Sequence, residues 1–198
     1  MRTFVRGALA VVVALGAAGA ARATTYAVDA AHTSVNFRVK HLFTYVDGRF
    51  SRFEGTLTFD PEAPGETSVS GTIQAASIDT NVEKRDAHLR SADFFDVERY
   101  PTIGFKSTKV TDVDREAGTA HLHGDLTIKD VTKPVVLDAK FLGAATDPWG
   151  NAKAGFSGTT TIDRKEFGLS WNQALEAGGV LVGEQVEIRI DVEADVEE

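Results

Sequence analysis

The sequence predicts an all-β protein of antiparallel strands with one short helix. Apolar and polar residues alternate with period two through most of the chain. Joins rich in Gly, Pro and Asp interrupt this alternation at intervals suited to antiparallel strands. Only one stretch, 82–93, carries the spacing of a helix.

The first residues stand outside the fold. Arg2 and Arg6 form a basic start, Ala8 to Ala21 an apolar run, and Ala21-Arg22-Ala23 a small-x-small cleavage site, the pattern of an export leader. The run is 14 residues and Ala-rich, whereas a membrane span takes about 20 strongly apolar residues. Residues 1–23 are therefore expected to be removed and 24–198 to form one domain, soluble in an exported compartment, of which a periplasm fits best.

In the first strand, 35–41, Val35, Phe37, Val39 and His41 share a face opposite Asn36, Arg38 and Lys40. In 49–53, Phe50 and Phe53 fall on opposite parities, so a bulge at Ser51 and Arg52 is expected to bring both inside. Strands at 56–60 and 68–77 flank the turn-rich run from Asp60-Pro61 to Gly65. In the helical stretch, Thr80 and Glu83 are spaced as a capping box, and Val82, Arg85, Leu89 and Ala92 line one face. An Arg in that stripe needs an anion, either a carboxylate such as Asp79 or a ligand head group. Strands at 102–110, 120–128, 135–142 and 154–162 follow, separated by turns at 114–118, Lys133-Pro134 and 147–150. The last, 185–194, sets Val186, Ile188, Ile190 and Val192 against Glu187, Arg189, Asp191 and Glu193, an apolar-in, polar-out strand whose outer face stays wet. Eight or nine such strands close as a barrel or stack as a sandwich, and the pattern does not choose between them. Inward positions that mix Phe with Gly leave a filled or a hollow interior equally open.

Composition narrows function. With no cysteine, disulfides, thiolate metal sites and cysteine nucleophiles are excluded. Without the leader, which holds three arginines and no acid, 18 basic side chains face 29 acidic ones, a net of −11. Such a field repels nucleic-acid backbones and anionic lipid surfaces, so neither nucleic acid nor stable membrane insertion is expected. No nucleophile elbow, phosphate loop, HExxH or GxGxxG occurs, so no enzyme activity or cofactor is expected. His121-x-His123 offers two imidazoles on one strand face, yet its polar parity reads as solvent-facing, and no metal site is assigned. His41 and His88 suit either a hydrogen-bonded core position or a cavity mouth, and Arg164, in the turn 163–168, either braces that turn or reaches an anion.

Together the motifs resemble the YceI-like family of exported polyisoprenoid-binding proteins. The resemblance spans nearly all of 24–198: Tyr26-x-Val28-Asp29-x-x-His32-x-Ser34-Val35-x-Phe37-x-Val39-x-His41, Gly48-x-Phe50 and Gly55-x-Leu57-x-Phe59-Asp60 at the start. Ser77-Ile78-Asp79-Thr80 then precedes Arg85-Asp86-x-His88-Leu89-Arg90-Ser91-x-Asp93-Phe94-Phe95-Asp96 and Tyr100-Pro101-x-Ile103-x-Phe105-x-Ser107. Gly124-x-Leu126-Thr127-Ile128-x-x-Val131-Thr132-Lys133-Pro134-Val135 and Ile162-Asp163-Arg164-x-x-Phe167-Gly168-Leu169-x-Trp171-Asn172 complete it. Phe43, Tyr45 and His121-x-His123 depart from the pattern, and the first two add bulk near the first loop.

The resemblance implies an eight-stranded antiparallel lipocalin-like β-barrel with a short helix, whose interior takes a long isoprenoid-type lipid, polyprenyl or quinone. It also implies a carrier without catalysis, linked to envelope stress tolerance, and pairing of two copies. Candidate lining residues on the apolar parity are Phe37, Val39, Ile73, Phe105, Leu126, Phe141 and Phe156. Leu89, Phe94, Phe167 and Trp171 join them near the helix. Arg85, His88 and Arg164 match the family pattern and are the head-group candidates, with a structural role the alternative for each. A filled barrel serving as an interaction module, or a hydrolase of an envelope lipid, are the competing readings.

Overall fold

Alternation with period two builds eleven strands among residues 23–175 and 180–197, which the computed structural model describes. Apart from Ala23, the expected leader lies outside the described residues. The first strands are β1 (Thr24–Val28), β2 (Ser34–His41), β3 (Thr44–Phe50), β4 (Phe53–Phe59) and β5 (Ser68–Gln74). A short β6 (Ile78–Asp79) leads into the helix α1 (Glu83–Arg90). The long strands β7 (Thr102–Asp114), β8 (Thr119–Ile128), β9 (Val131–Thr146), β10 (Ala152–Asp163) and β11 (Val182–Val196) complete the chain.

Eight of these, in the order β1, β4, β5, β7, β8, β9, β10, β11, pair antiparallel with their neighbours, and β1 returns to β11. The sheet is a closed barrel, as expected, and not a sandwich. Closure removes the unpaired edges of that ring, which would otherwise recruit further strands. Two partners share one edge of β11: β1 meets its end (Val28↔Ala194), and β2 runs along the rest, from Asp191↔Ser34 to Val182↔His41. β3 pairs with β2, and β6 with β3, extending the wall toward α1.

Inner positions gather in two apolar clusters. One, around Phe50, Ile78, Ile103, Phe167 and Leu169, lies toward α1; the other, around Tyr26, Leu57, Phe59, Ala154 and Ala194, lies toward the opposite end.

Several expectations change. Phe50 and Phe53 both turn inward, but through a chain corner instead of a bulge: Phe50 ends β3 opposite Val35 and Ile78, while Phe53 opens β4 opposite Ile73. The Ser77 hydroxyl holds the corner, accepting from the Arg52 amide at 3.1 Å and donating to the Gln74 carbonyl at 2.7 Å. Lys133-Pro134 is no turn but part of β9. β9 pairs with β8 from Val131 onward and with β10 only from Asp138, so Pro134 meets a free edge where a missing N–H costs no ladder bond. The turn falls at Lys129, whose φ of 57° is left-handed. The expected capping box is also absent. Thr80 is not the N-cap; Val82 is, without a side-chain bond, and the Asp86 carboxylate reaches back to accept from the Thr80 amide and hydroxyl.

Candidate functional site

The barrel encloses a cavity of about 890 Å³, which answers the question of a filled or hollow interior: it is hollow. Glycine explains how large aromatics line a wall without plugging the lumen. The Phe37 ring lies over Gly48, where a Cβ would sit 2.2 Å from Cζ, and the Phe105 ring lies over Gly124, where it would sit 2.3 Å away. Each ring thereby lies flat against the neighbouring strand.

The cavity runs most of the length of the barrel, for its wall draws on both ends. Leu89, Phe94 and Trp171 stand at the α1 end, Phe37, Val39, Ile73, Phe105 and Leu126 along the body, and Phe141 and Phe156 toward the far end. Arg85, His88 and Arg164 are on the wall as well. Phe167 is the one candidate that is not. It ends the 3-10 turn Arg164–Phe167, Gly168 follows in the left-handed region, and its ring is 1% exposed inside the packed cluster near α1. It supports the wall from behind and does not line it.

An aromatic cluster stands at each end. At the far end Phe59, Phe141 and Phe156 meet with centroids 4.8 to 5.4 Å apart. At the α1 end His88 sits edge-on to Trp171 at 4.7 Å and to Phe94 at 5.1 Å. The His88 Nε2 lies 2.9 Å from Asp93, so this imidazole joins an apolar wall to a polar rim. His41 also lines the cavity, where β2 turns into β3. Beyond it Phe43 and Tyr45 are exposed, with the Arg38 guanidinium 5.5 Å from the Tyr45 ring centroid.

The three polar candidates differ in what holds them. Arg164 is 3% exposed and donates to the carbonyls of Gly183, Leu169, Trp171 and Val182. Burial pushes its pKa below the ordinary guanidinium value, and the four carbonyl dipoles offset that penalty. It ties the turn after β10 to the start of β11. Arg85 does not pair with Asp79, one of the two anions expected for it. Asp79 instead binds Arg49 at 2.9 Å, and the Asn81 amide and Arg49 hold its carboxyl below the usual range. The Arg85 Nε donates to the Thr80 hydroxyl and its Nη2 to the Thr80 carbonyl, both at 2.7 Å.

His121 and His123 lie away from the lumen. His121 stands between Asp112 (2.9 Å) and Asp138 (3.4 Å), and His123 bonds the Thr111 hydroxyl at 2.9 Å. A cluster that the alternation did not signal joins Asp29, His32 and Glu193, with ligand-type atoms within 4.8 Å of one another. The Lys153 ammonium already stands there, 3.0 Å from Asp29, 3.1 Å from Glu193 and 2.7 Å from Asp195, tying β1 and β11 to β10. The Asp29-x-x-His32 spacing was its sequence trace; Glu193 and Lys153 arrive only through strand pairing. The wall residues of the far end, among them Pro61, Val113 and Arg115, also come from hairpins that alternation does not place.

No helix among the described residues is long and apolar enough to cross a membrane. A closed, hollow barrel with this order of motifs has known counterparts. A protein of Vibrio cholerae named UPF0312 is 46% identical over 153 residues, covering 76% of this chain and 80% of that protein. The crystal structure of BcnA from Burkholderia cenocepacia superposes with a TM-score of 0.74 at 23% identity, covering 84% of this chain and 98% of that one. A polyisoprenoid binding domain from Saccharophagus degradans, implicated in plant cell wall breakdown, shares the fold with a TM-score of 0.62 at 14% identity over 88% of this chain and 99% of that one. The model of the YceI-like domain matches residues 26–194, from the strand that closes the barrel to the strand it closes upon. By fold, motif order and extent, the chain belongs to the YceI-like domain family.

Proposed function

We propose that this protein is an exported carrier that sequesters a long isoprenoid-type lipid in the barrel lumen. The observation that carries the reading is a cavity of about 890 Å³ whose exposed wall surface is almost wholly apolar. That volume lies in the upper part of the range usual for small-molecule sites, about 300–1,000 Å³. Removing an apolar chain from water is favourable by roughly 25 cal/mol per Å², so enclosure alone makes a lipid soluble without a covalent step. The family membership and the polyisoprenoid binding domain of the same fold support the chemistry of the cargo. The leader expected at residues 1–23 supports export, with the bacterial periplasm as the compartment and envelope stress as the setting. A polyprenyl lipid and an isoprenoid quinone share the branched chain that the lumen would hold. Arg164, with its donors on backbone carbonyls, braces the wall in this reading, which leaves Arg85 and His88 as the head-group candidates.

The test is native mass spectrometry of the protein purified from the envelope of its own cells, followed by organic extraction of what is released. A stoichiometric isoprenoid lipid is expected. A protein that is empty, and stays empty after incubation with prenyl lipids, overturns the reading in favour of an interaction module.

A further inference from the structure

Besides Arg164, two arginines among the described residues have no carboxylate within 4.0 Å, Arg52 and Arg85; Arg52 is exposed and lies off the cavity wall, whereas Arg85 stands on it. Arg38, Arg49, Arg90, Arg99, Arg115 and Arg189 each have a carboxylate within 4.0 Å, and Arg164 is saturated by carbonyls. Arg85 is half-buried on the cavity wall, and no carboxylate oxygen lies within 4.0 Å of it among the described residues. Of its five N–H groups, those on Nη1 donate to no protein acceptor among the described residues.

The acids around it are committed elsewhere. Asp86 accepts from the Thr80 amide and hydroxyl, so its charge is turned toward Thr80 and reaches Arg85 only through that hydroxyl. Glu83 faces Arg90, Asp93 faces His88, Glu184 binds Lys165, and Glu54 is exposed on β4. Lys84 adds a second cation to the same end of the wall. Thr80 therefore works as a clamp, fixing the guanidinium by Nε and Nη2 while leaving its outer edge free. A cation held at an apolar wall without a directly paired carboxylate is costly to the protein alone and is repaid when an anion arrives with its own acceptors.

We infer that Arg85 is a specificity-determining residue that selects lipids with a phosphorylated head, seated at the α1 end with the chain running toward Phe59, Phe141 and Phe156. This deepens the carrier reading and rests on it. The test titrates the protein with farnesyl monophosphate and with farnesol, which share a chain and differ in the head, by calorimetry. Wild type is expected to bind the phosphate roughly ten- to a hundredfold more tightly, the range of a charge-assisted hydrogen bond. Arg85→Gln should erase that preference, with retained binding of farnesol reporting that the variant folds, and Arg85→Lys should keep part of it. Equal affinity of wild type for both probes, or a preference that survives Arg85→Gln, overturns the inference and leaves the carrier reading standing. Failure of both probes to bind overturns the two together.

Discussion

Arg164 shows at the scale of one residue how a motif position can look like a ligand contact and act as a brace. Removing its guanidinium strands four backbone carbonyls in an interior where unpaired acceptors are expensive. Arg164→Met is expected to cost about 3 kcal/mol or more, measured by chemical denaturation; a loss below about 1 kcal/mol would contradict the bracing role. The Asp29 cluster makes a pH prediction. Hydrogen bonding to Asp29 raises the His32 pKa above its ordinary 6.5, and bonds from His32 and Lys153 hold the Asp29 carboxyl below its ordinary 3.8. Stability from His32 is thus fully present below pH 6.5 and fades as pH rises through its raised value. Stability from Asp29 is present above pH 3.8 and fades as pH falls below it. The melting-temperature deficit of His32→Gln should be widest between these limits and close at alkaline pH. A deficit independent of pH would sink the assignment. From sequence, the need of Arg85 for an anion was legible as a choice between two partners, because periodicity shows which face a residue occupies but not which carboxylate folding brings there. Asp79 lies close in sequence yet pairs across β3 and β6 with Arg49.

At the scale of elements, strand identity followed from parity, and the errors fell where a local signal met a tertiary fact. Pro134 read as a turn because proline cannot donate, and it lies in a strand because β9 has a free edge there. The length of α1, expected over 82–93, was overestimated at its C-terminal end, where Ser91 turns to an extended conformation and its hydroxyl donates back to the His88 carbonyl at 2.8 Å. β1 and the first half of β3 were missed, being short or weakly alternating. Parity also gave most of the wall, but not the sharp distinction between Phe105, flat over Gly124, and Phe167, packed behind the wall. The glycines beneath the flat rings make their role testable. In Gly48→Val, where the three nearest atoms to the added Cβ all belong to Phe37, that ring must leave the β3 surface and enter the lumen. A cost of about 1–3 kcal/mol is expected, together with weaker uptake of a fluorescent prenyl chain. Unchanged uptake would show that the ring does not set the free cross-section.

The molecule as a whole is a closed sheet that leaves its axis open, which sets it against the ordinary rule that interiors are packed solid. Cross-strand bonding and the two end clusters hold the shell, so the lumen is available to a guest. A ligand that binds only the folded barrel stabilises it by mass action, about 2.7 kcal/mol at a hundred times its dissociation constant. Farnesol is therefore expected to raise the melting temperature, and an unchanged melt at saturation would speak against a lumenal site. Parity reached the inward residues and the family resemblance the barrel, but parity left the hollow open, because volume is decided by how rings lie on glycines across strands. The most direct measurement of the central claim is a crystal structure of residues 24–198 grown with a long prenyl phosphate. The account predicts continuous density through the lumen, from Arg85 at the α1 end to Phe141 and Phe156 at the other. Density confined to the outer surface, or side chains of Phe37 and Phe105 filling an empty lumen, would contradict it.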